Sequence, residues 1–257
     1  MLAELIAGAV QDASERRLER TLAQVEKAAL ARPPALDAVA ALQPAPGVKI
    51  IAEVKRSSPS RGVLAEIGDP AALADSYQAG GASAISVLTE GRRFGGSLAD
   101  LEQVREAVSV PVLRKDFIVE PYQVLEARAA GADLVLLIVA ALDQTSLARL
   151  HELIRQLGMS ALVEAHSADE VMRAVDLGAE IIGVNARDLR TFELDSGLFG
   201  RLAGHIPAGT VKIAESAVKS AEDVARYRAA GADVVLIGEA LVTSDPIASL
   251  REFLAAG

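Results

Sequence analysis

The sequence of 257 residues predicts a single domain, a (βα)8 barrel over residues 47–257 preceded by a helical extension over residues 1–46. Three observations support this fold: eight short aliphatic runs that alternate with helical stretches, a Gly-Ala dipeptide shortly before four of those runs, and nearly continuous apolar strands such as Leu-Val-Leu-Leu-Ile-Val. Continuous apolar strands are typical of parallel sheets covered on both faces. Barrels of about 250 residues commonly form one domain.

The extension is predicted to form two amphipathic helices or one broken helix, because apolar residues recur at helical spacing among charged ones. These residues are Leu2, Leu5, Ile6 and Val10, followed by Leu18, Leu22, Val25 and Ala29. Pro33 and Pro34 end the pattern, and the Pro-Ala-Pro-Gly segment at 44–47 forms a second break. The barrel is therefore predicted to begin directly after this segment.

The eight aliphatic runs are the predicted barrel strands, and they begin 20 to 36 residues apart, about the length of one strand, one helix and two loops. They span Val48–Val54, Ala84–Leu88, Val112–Leu113, Leu134–Val139, Ala161–Val163, Ile181–Val184, Val211–Ala214 and Val234–Ile237. Gly81, Gly131, Gly178 and Gly231 stand where helices would end, at intervals of 50, 47 and 53 residues, which indicates a repeat of two βα units. An open doubly wound sheet is less favoured, because no G-x-G-x-x-G fingerprint follows the first run.

Composition excludes several function classes. The chain has 26 Lys and Arg against 35 Asp and Glu, a net charge of −9, and 3% aromatic residues, so no nucleic-acid partner is expected. Its longest apolar run, Leu134–Leu142, is too short to cross a membrane, and the N-terminus lacks the features of a signal peptide. The absence of cysteine rules out disulfides and thiolate chemistry. A cytoplasmic monomer without membrane contact is expected.

Polar residues end five of the predicted strands, and the carboxyl ends of barrel strands meet at one rim, where reacting groups lie. These residues are Glu53 and Lys55, Lys115, Glu164, Asn185 and Glu215. Because side chains alternate along a strand, Glu53 and Lys55 should share a face. Unrelated surface charges have no reason to coincide with five strand ends, so the set predicts a functional site.

The mixture of lysines and glutamates fits acid–base chemistry better than a metal site, because the lysines would compensate the negative charge that Mg²⁺ needs. Attraction should keep the lysines protonated, and burial should raise the pKa of at least one glutamate, so a lysine could act as acid and a glutamate as base. A Schiff-base aldolase is an alternative, since a strand-end lysine can be a nucleophile. A sugar-phosphate-binding module without turnover is another. No metal and no cofactor are predicted.

The three histidines do not form a metal site by their spacing. His151 and His205 are interpreted as ordinary surface residues. His166 follows the fifth predicted strand closely and should lie nearer the rim.

A phosphate site is predicted in the loops after the seventh and eighth strands, where barrels commonly bind phosphate. These loops contain Glu215-Ser216-Ala217 and Gly238-Glu239-Ala240, and the Ser-Ser-Pro-Ser segment at 57–60 adds hydroxyl groups. Gly238 permits close backbone approach, and Glu239 is compatible with an anion if its carboxylate turns outward. A phosphorylated ligand is therefore expected.

Between about Lys49 and Asp245, the chain resembles the indole-3-glycerol-phosphate synthase family of tryptophan biosynthesis. The motifs that carry the resemblance are IIAEVKRSSPSRG, SVLTEGRRFGGS, VLRKDFIVEPYQ, ALVEAHS, IGVNARDLRTF, IAESAV and VLIGEALV. The resemblance implies that Lys115 is the general acid that assists attack on a ketone and that Glu164 is a catalytic base. Glu53 and Lys55 would join this acid–base work or bind substrate hydroxyls, and either lysine could protonate at the dehydration step.

The resemblance also implies binding roles and a reaction. Asn185 and Glu215 would orient the substrate, and Arg187 and Ser216 would bind it. The phosphate would be held by Ser58, Ala217, Gly238 and Glu239. The aromatic ring would pack against Phe94, Pro59 and Phe117. The N-terminal segment would fold over the mouth. The implied reaction is the cofactor-free, decarboxylating ring closure and dehydration of 1-(2-carboxyphenylamino)-1-deoxyribulose 5-phosphate to indole-3-glycerol phosphate, carbon dioxide and water.

Ala217 departs from the family pattern, which usually has Glu-Ser-Gly after the seventh strand. If this position needs a positive φ or close contact with phosphate, the methyl group adds strain. Weaker substrate binding is the expected consequence.

Overall fold

The computed structural model describes residues 1–189, 191 and 193–257. Its centre is a closed barrel of eight parallel strands, which confirms the predicted (βα)8 fold. The barrel strands, β1 to β8 in chain order, are Lys49–Val54, Ala84–Leu88, Val112–Lys115, Leu134–Ile138, Ser160–Ala165, Ile181–Asn185, Val211–Glu215 and Val234–Ile237. Consecutive strands pair in parallel, and β8 pairs with β1 to close the barrel.

Helices alternate with the strands. The α-helices, α1 to α12 in chain order, are Leu2–Glu19, Leu22–Leu30, Ala38–Leu42, Pro70–Gly80, Leu98–Ala107, Pro121–Ala130, Gln144–Gln156, Ala168–Asp176, Leu198–Leu202, Ala221–Ala229, Glu239–Val242 and Pro246–Ala256. The loop after β1 contains a short antiparallel hairpin, Ser57–Ser58 with Gly62–Val63. Among the described residues, no helix combines the length and the hydropathy needed to span a bilayer.

The predicted helix-ending glycines have the expected conformation. All four have a positive φ, and Gly81 and Gly131, with φ of 102° and 94°, directly follow α4 and α6. An L side chain is strained at such angles, so glycine ends these helices at little cost.

Several strands extend further than the aliphatic runs predicted. β3, β6 and β7 continue into Lys115, Asn185 and Glu215, because the sheet ladder pairs Lys115 with Leu88 and Asn185 with Glu215. β5 runs from Ser160 to Ala165, and β1 and β4 are one residue shorter than predicted. Except for Lys55, which directly follows β1, the polar residues of the rim therefore lie on strands, which hold their side chains more rigidly than loops would.

The first 30 residues of the extension form two helices with a break at Arg20 and Thr21, and Thr21 caps the second. The predicted apolar face of this segment was partly wrong: Val10, Leu18 and Leu22 are exposed by 38%, 87% and 47%. The buried face of α1 consists of Leu2, Leu5, Gly8, Ala9 and Ala13. Small residues let this helix approach the barrel closely, a contact that helical periodicity of large apolar residues does not reveal.

The sequence analysis missed α3, which covers the amino-terminal end of the barrel. Leu42 belongs to the same buried cluster as Leu134 and Val234, the first residues of β4 and β8. Lys49 Nζ donates a hydrogen bond to the Ala41 carbonyl at 2.8 Å. This end of the barrel is closed, so the opposite end is the open one.

α1 lies beside the open end and is tied to the barrel by two ion pairs. Arg16 contacts Glu126 of α6 at 2.5 Å, and Asp12 contacts Arg92 of the loop after β2 at 2.6 Å. Leu5 joins the buried cluster that contains Phe117.

Candidate active site

A cavity of about 290 Å³ opens at the carboxyl ends of the barrel strands. The structure places all fifteen residues of the predicted site in its lining: Glu53, Lys55, Ser58, Pro59, Phe94, Lys115, Phe117, Glu164, Asn185, Arg187, Glu215, Ser216, Ala217, Gly238 and Glu239.

Four of these residues form one layer of the barrel interior, which we name the acid–base layer after its ammonium and carboxyl groups. Glu53, Lys115, Glu164 and Glu215 lie on β1, β3, β5 and β7. Alternate strands of such a barrel point their side chains inward at the same height. The architecture therefore brings three carboxylates and one ammonium group together from residues far apart in the chain.

Lys115 lies between two carboxylates. Its Nζ is 3.4 Å from Oε2 of Glu164 and 3.3 Å from Oε2 of Glu215, and its side chain is 15% exposed. Burial alone would lower the pKa of Lys115, but the carboxylates of Glu215, Glu164 and Glu53 outweigh burial and raise it. The ammonium form is therefore stable, and Lys115 is available as a proton donor.

The two glutamates beside Lys115 differ in protonation. Burial and the neighbouring Glu164 carboxylate raise the pKa of Glu215 to about 8, in opposition to Lys115. Burial also disfavours ionised Glu164, but Lys115 and His166 outweigh it and lower the pKa of Glu164. These opposite directions favour the proton of the pair on Glu215 and the ionised form of Glu164.

A second ion pair joins Glu53 and Lys55, which share a face of the chain as strand periodicity predicts. Lys55 Nζ is 2.6 Å from Oε1 of Glu53. Burial would raise the pKa of Glu53, but Lys55 and Lys115 lower it, so the carboxylate is ionised. A Cβ atom on Gly238 would lie 2.5 Å from Oε1 of Glu53 and 3.0 Å from Nζ of Lys55, so glycine leaves the space that this pair occupies.

Asn185 links the acid–base layer to the loop after β7. Its Oδ1 accepts hydrogen bonds from Oγ of Ser216 at 2.8 Å and from the backbone N–H of Arg187 at 3.0 Å. The Asn185 side chain also helps to lower the pKa of Glu164.

The loops after β7 and β8, where a phosphate site was predicted, also line the cavity. Ser216 and Ala217 have positive φ angles of 69° and 62°. Position 217 therefore has the positive φ at which the methyl group of alanine was expected to add strain. Glu239 begins α11, and its carboxylate lies 3.1 Å from the guanidinium group of Arg61, so Arg61 neutralises its charge. Ser58 lines the cavity from the hairpin.

Part of the cavity lining is apolar. The rings of Phe94 and Phe117 lie 6.3 Å apart at 41° to one another. Leu136 and Ile138 of β4 and Leu236 of β8 also line the cavity. Sequence reasoning missed these three because an aliphatic strand residue that faces a ligand has the same pattern as one that faces the core.

A family model for Indole-3-glycerol phosphate synthase matches residues 2–253, essentially the whole barrel and its extension. The chain belongs to the indole-3-glycerol phosphate synthase family. This membership makes it a carboxy-lyase of tryptophan biosynthesis and confirms the resemblance drawn from the sequence.

Relatives in this family match along their whole lengths. The indole-3-glycerol phosphate synthase of Leifsonia xyli subsp. xyli is 70% identical over 253 residues, covering 98% of this chain and 97% of the relative. That of Beutenbergia cavernae is 56% identical over 258 residues, covering 100% and 96%. A solved structure of 3-hexulose-6-phosphate synthase from Salmonella typhimurium has a TM-score of 0.64 at 16% identity over 81% of this chain and 98% of that one, a likeness of fold alone.

The histidines differ in part from their prediction. His151 is 8% exposed and not on the surface, because it lies on the apolar side of α7 beside Leu147, Leu150 and Ile154. His205 is exposed. His166 contacts Glu164 and Glu170, partners that the sequence analysis did not assign. Within the described ranges, no group of three or more His, Asp or Glu residues is arranged to hold a metal.

The loop after β6 contributes Leu189 and Leu194 to the cavity. The family motif NARDLRTF spans this loop, and its Arg190 and Phe192 lie outside the described residues.

Proposed function

We propose that this chain converts 1-(2-carboxyphenylamino)-1-deoxyribulose 5-phosphate into indole-3-glycerol phosphate, carbon dioxide and water by acid–base catalysis. Family membership supports the substrate and the reaction. The observation that carries the mechanism is the Lys115 ammonium group, 3.4 Å from Glu164 and 3.3 Å from Glu215. A protonated acid and an ionised base are thus adjacent in one buried layer.

The cavity orients the substrate by its two unlike ends. The phosphate would bind near Ser58, the backbone of Ala217 and Gly238, and the start of α11 at Glu239. The aromatic ring would lie against Phe94, Pro59 and Phe117. This orientation stretches the ribulose chain across the layer of charged residues, with Arg187 and Ser216 as further polar contacts, and places its ketone near Lys115.

The ring closure requires an acid. The ring carbon that bears the carboxylate attacks the ketone carbon, and the ketone oxygen takes a proton from Lys115. The bond to the carboxylate then breaks, carbon dioxide leaves, and the electron pair of that bond restores the aromatic ring. The ammonium group stabilises the charge that develops on the oxygen, an interaction stronger in the transition state than in the ground state.

The dehydration requires an acid and a base. The new hydroxyl group leaves as water after protonation by Lys115 or Lys55, while Glu164 accepts the proton lost from the neighbouring carbon as the indole double bond forms. One proton comes from solvent in each turnover, because two protons go to oxygen, one returns to a base and a carboxylate anion is consumed. Asn185, through its amide, orients the Glu164 carboxylate.

The ion pairs of Lys115 disfavour the aldolase alternative. A Schiff base needs a neutral amine, and Glu164 and Glu215 stabilise the charged form. Borohydride reduction in the presence of substrate should therefore leave Lys115 unmodified. Covalent trapping at Lys115 or Lys55 would support the aldolase instead.

The decisive experiment is a fluorescence assay for indole product with the purified chain and its Lys115→Met variant. The variant should lose at least about 100-fold in kcat, the size of a general-acid contribution, while calorimetry shows that it still binds substrate. Lys27→Met, at an exposed position on α2, is the matched control and should keep normal activity. Absence of product from the wild type would refute the function, and near-normal turnover of Lys115→Met would refute the role of Lys115.

A further inference from the structure

His166 joins two carboxylates at the edge of the acid–base layer. It follows β5 and precedes α8, whose first turn contains Glu170. The His166 Nε2 atom is 3.4 Å from Oε1 of Glu164, and its Nδ1 is 3.3 Å from Oε2 of Glu170. The backbone N–H of His166 also donates to the same Glu170 oxygen at 2.7 Å, which fixes the turn and the ring.

The protonated form of His166 suits this position better than either neutral form. A neutral imidazole has one N–H group, so one of its nitrogens would direct a lone pair at a carboxylate oxygen. Nε2 of His166 and Oε1 of Glu164 are both buried and form no well-aligned hydrogen bond, and the His166 side chain is 11% exposed. An imidazolium can donate to both carboxylates. A slightly shorter distance between Nε2 of His166 and Oε1 of Glu164 would turn that contact into a charge-assisted hydrogen bond.

The surrounding charges favour the imidazolium as well. Burial alone would lower the pKa of His166, but Glu170, Glu164 and Glu215 outweigh it and raise the pKa. These three carboxylates face the ring from α8, β5 and β7. Lys115, the lysine of the layer, contacts the other carboxylate oxygen of Glu164, Oε2.

The two oxygens of Glu164 thus face two different cations. Lys115 approaches Oε2 and His166 approaches Oε1. Glu215 also contacts Lys115, but the part of the chain that the structure describes shows no ion pair between Glu215 and His166. This asymmetry distinguishes two carboxyl groups that otherwise lie in the same buried layer.

We propose that His166, held by Glu170, is a positioning residue that keeps Glu164 ionised and turned toward Lys115, so that the proton shared by Glu164 and Glu215 stays on Glu215. The proposal rests on the proposed function, in which Glu164 is the base. His166 is absent from the described lining of the cavity, so it acts through Glu164 and not on the substrate.

An NMR titration tests the proposal without any turnover. The chain has only three histidines, so the Gln variants of His151, His166 and His205 assign every imidazole signal of ¹⁵N-histidine-labelled protein. His166 should titrate at a higher pH than the buried His151, and Glu164→Gln and Glu170→Gln should each lower the pKa of His166 by about one unit, because each removes a neighbouring negative charge. A His166 pKa that neither variant changes would overturn the proposal.

Kinetics supply the second test. His166→Gln should lower kcat about tenfold at neutral pH with KM within about twofold, and should move the acid limb of the kcat–pH profile up by about one pH unit. The limb moves upward because loss of the imidazolium raises the pKa of Glu164, so a higher pH is needed to ionise it. His205→Gln, an exposed histidine variant, is the matched control.

The outcomes separate the possible failures. An unchanged acid limb in a folded His166→Gln variant shows a merely structural role and overturns the proposal. If that variant does not fold, the titration of His166 in the wild type and in Glu170→Gln still tests the proposal. A wild type that forms no indole product refutes the proposed function, and the titration result is independent of that outcome.

Discussion

A Cβ atom on Gly183 would overlap Oε1 of Glu215, so the carboxyl group of Glu215 occupies space that only glycine leaves open on the neighbouring strand. The same added atom would lie 3.1 Å from Cδ1 of Leu162. Glu215 is 1% exposed and lies 3.3 Å from Lys115, so a displacement of its carboxyl group would change that contact. Gly183 is therefore a steric determinant of the acid–base layer, although it carries no functional group.

Gly183→Ala should displace Glu215 and lower kcat by about 10- to 100-fold, because a shift of about 1 Å at a reacting group has effects of this size. Overpacking should also cost about 1–3 kcal/mol of unfolding free energy, measured by urea denaturation. Gly204→Ala is the control, since a Cβ atom there meets no heavy atom within 4 Å. Equal kinetics for the two variants would show that Gly183 does not position Glu215.

Glu215→Gln should flatten the pH dependence of stability. In the folded chain the pKa of Glu215 is raised from its ordinary value of 4.5 to about 8. Between these values the folded state keeps a proton that the unfolded state releases, so the unfolding free energy of the wild type falls as pH rises from 5 to 8. The neutral amide removes this loss, on the order of 2–4 kcal/mol.

Urea midpoints at pH 5 and pH 8 measure this effect. The difference between the two midpoints should be larger for the wild type than for Glu215→Gln. Glu102→Gln, an exposed variant on α5, should retain the wild-type difference. Parallel pH dependence of all three proteins would mean that Glu215 is ionised in the folded state.

The barrel was predictable from sequence because its strands are covered on both faces and are therefore aliphatic almost without interruption. The same feature limited the prediction of strand ends. Lys115, Asn185 and Glu215 interrupt the aliphatic pattern, yet they belong to the strands, because the hydrogen-bonded ladder tolerates polar side chains that face an open cavity. The fold was therefore predicted correctly, and the lengths of some strands were underestimated.

The composition of the site was predictable for a related reason, since strand ends of a barrel meet at one rim and the charged residues fall there. Two aspects of the site could not be predicted from the sequence. The role of Gly183 depends on which strand lies beside Glu215, and the contact of His166 with Glu170 depends on how the chain turns into α8. Both are relationships across space that composition and periodicity do not contain.

Ala217→Gly should relieve strain in the loop after β7. A non-glycine residue at φ of 62° costs about 1 kcal/mol or more. Glycine removes that strain, partly offset by the greater entropy of the unfolded chain, so we expect a gain of about 0.5–1 kcal/mol in unfolding free energy. KM should fall by about two- to fivefold if the backbone N–H then approaches the phosphate more closely.

The control for this loop variant is Ala208→Gly, in an exposed turn where φ is not positive. It should lower the unfolding free energy slightly and leave KM unchanged. A KM for Ala217→Gly that is unchanged or higher would contradict the strain argument, whatever the effect on stability.

A buried ionic network stands behind Lys115 on the outer face of β3. Arg114 is fully buried, with Nη2 2.9 Å from Oδ2 of Asp116 and Nη1 3.6 Å from Oε2 of Glu126. Oδ1 of Asp116 accepts the backbone N–H of Phe117 at 2.8 Å. The network therefore holds the turn that carries Phe117, two residues after Lys115.

Arg114→Met should destabilise the fold by about 3–5 kcal/mol, because it leaves the buried Asp116 carboxylate without its guanidinium partner, whereas Glu126 keeps its pair with Arg16. Arg155→Met is the matched control: its pair with Glu152 is 60% and 54% exposed, and loss of such a pair costs less than about 1 kcal/mol. Urea denaturation compares the two. At temperatures where Arg114→Met remains folded, its KM should rise, since Asp116, which accepts the backbone N–H of Phe117, then loses the guanidinium group that holds it in place. A loss of stability no larger than that of Arg155→Met would mean that the network does not anchor this turn.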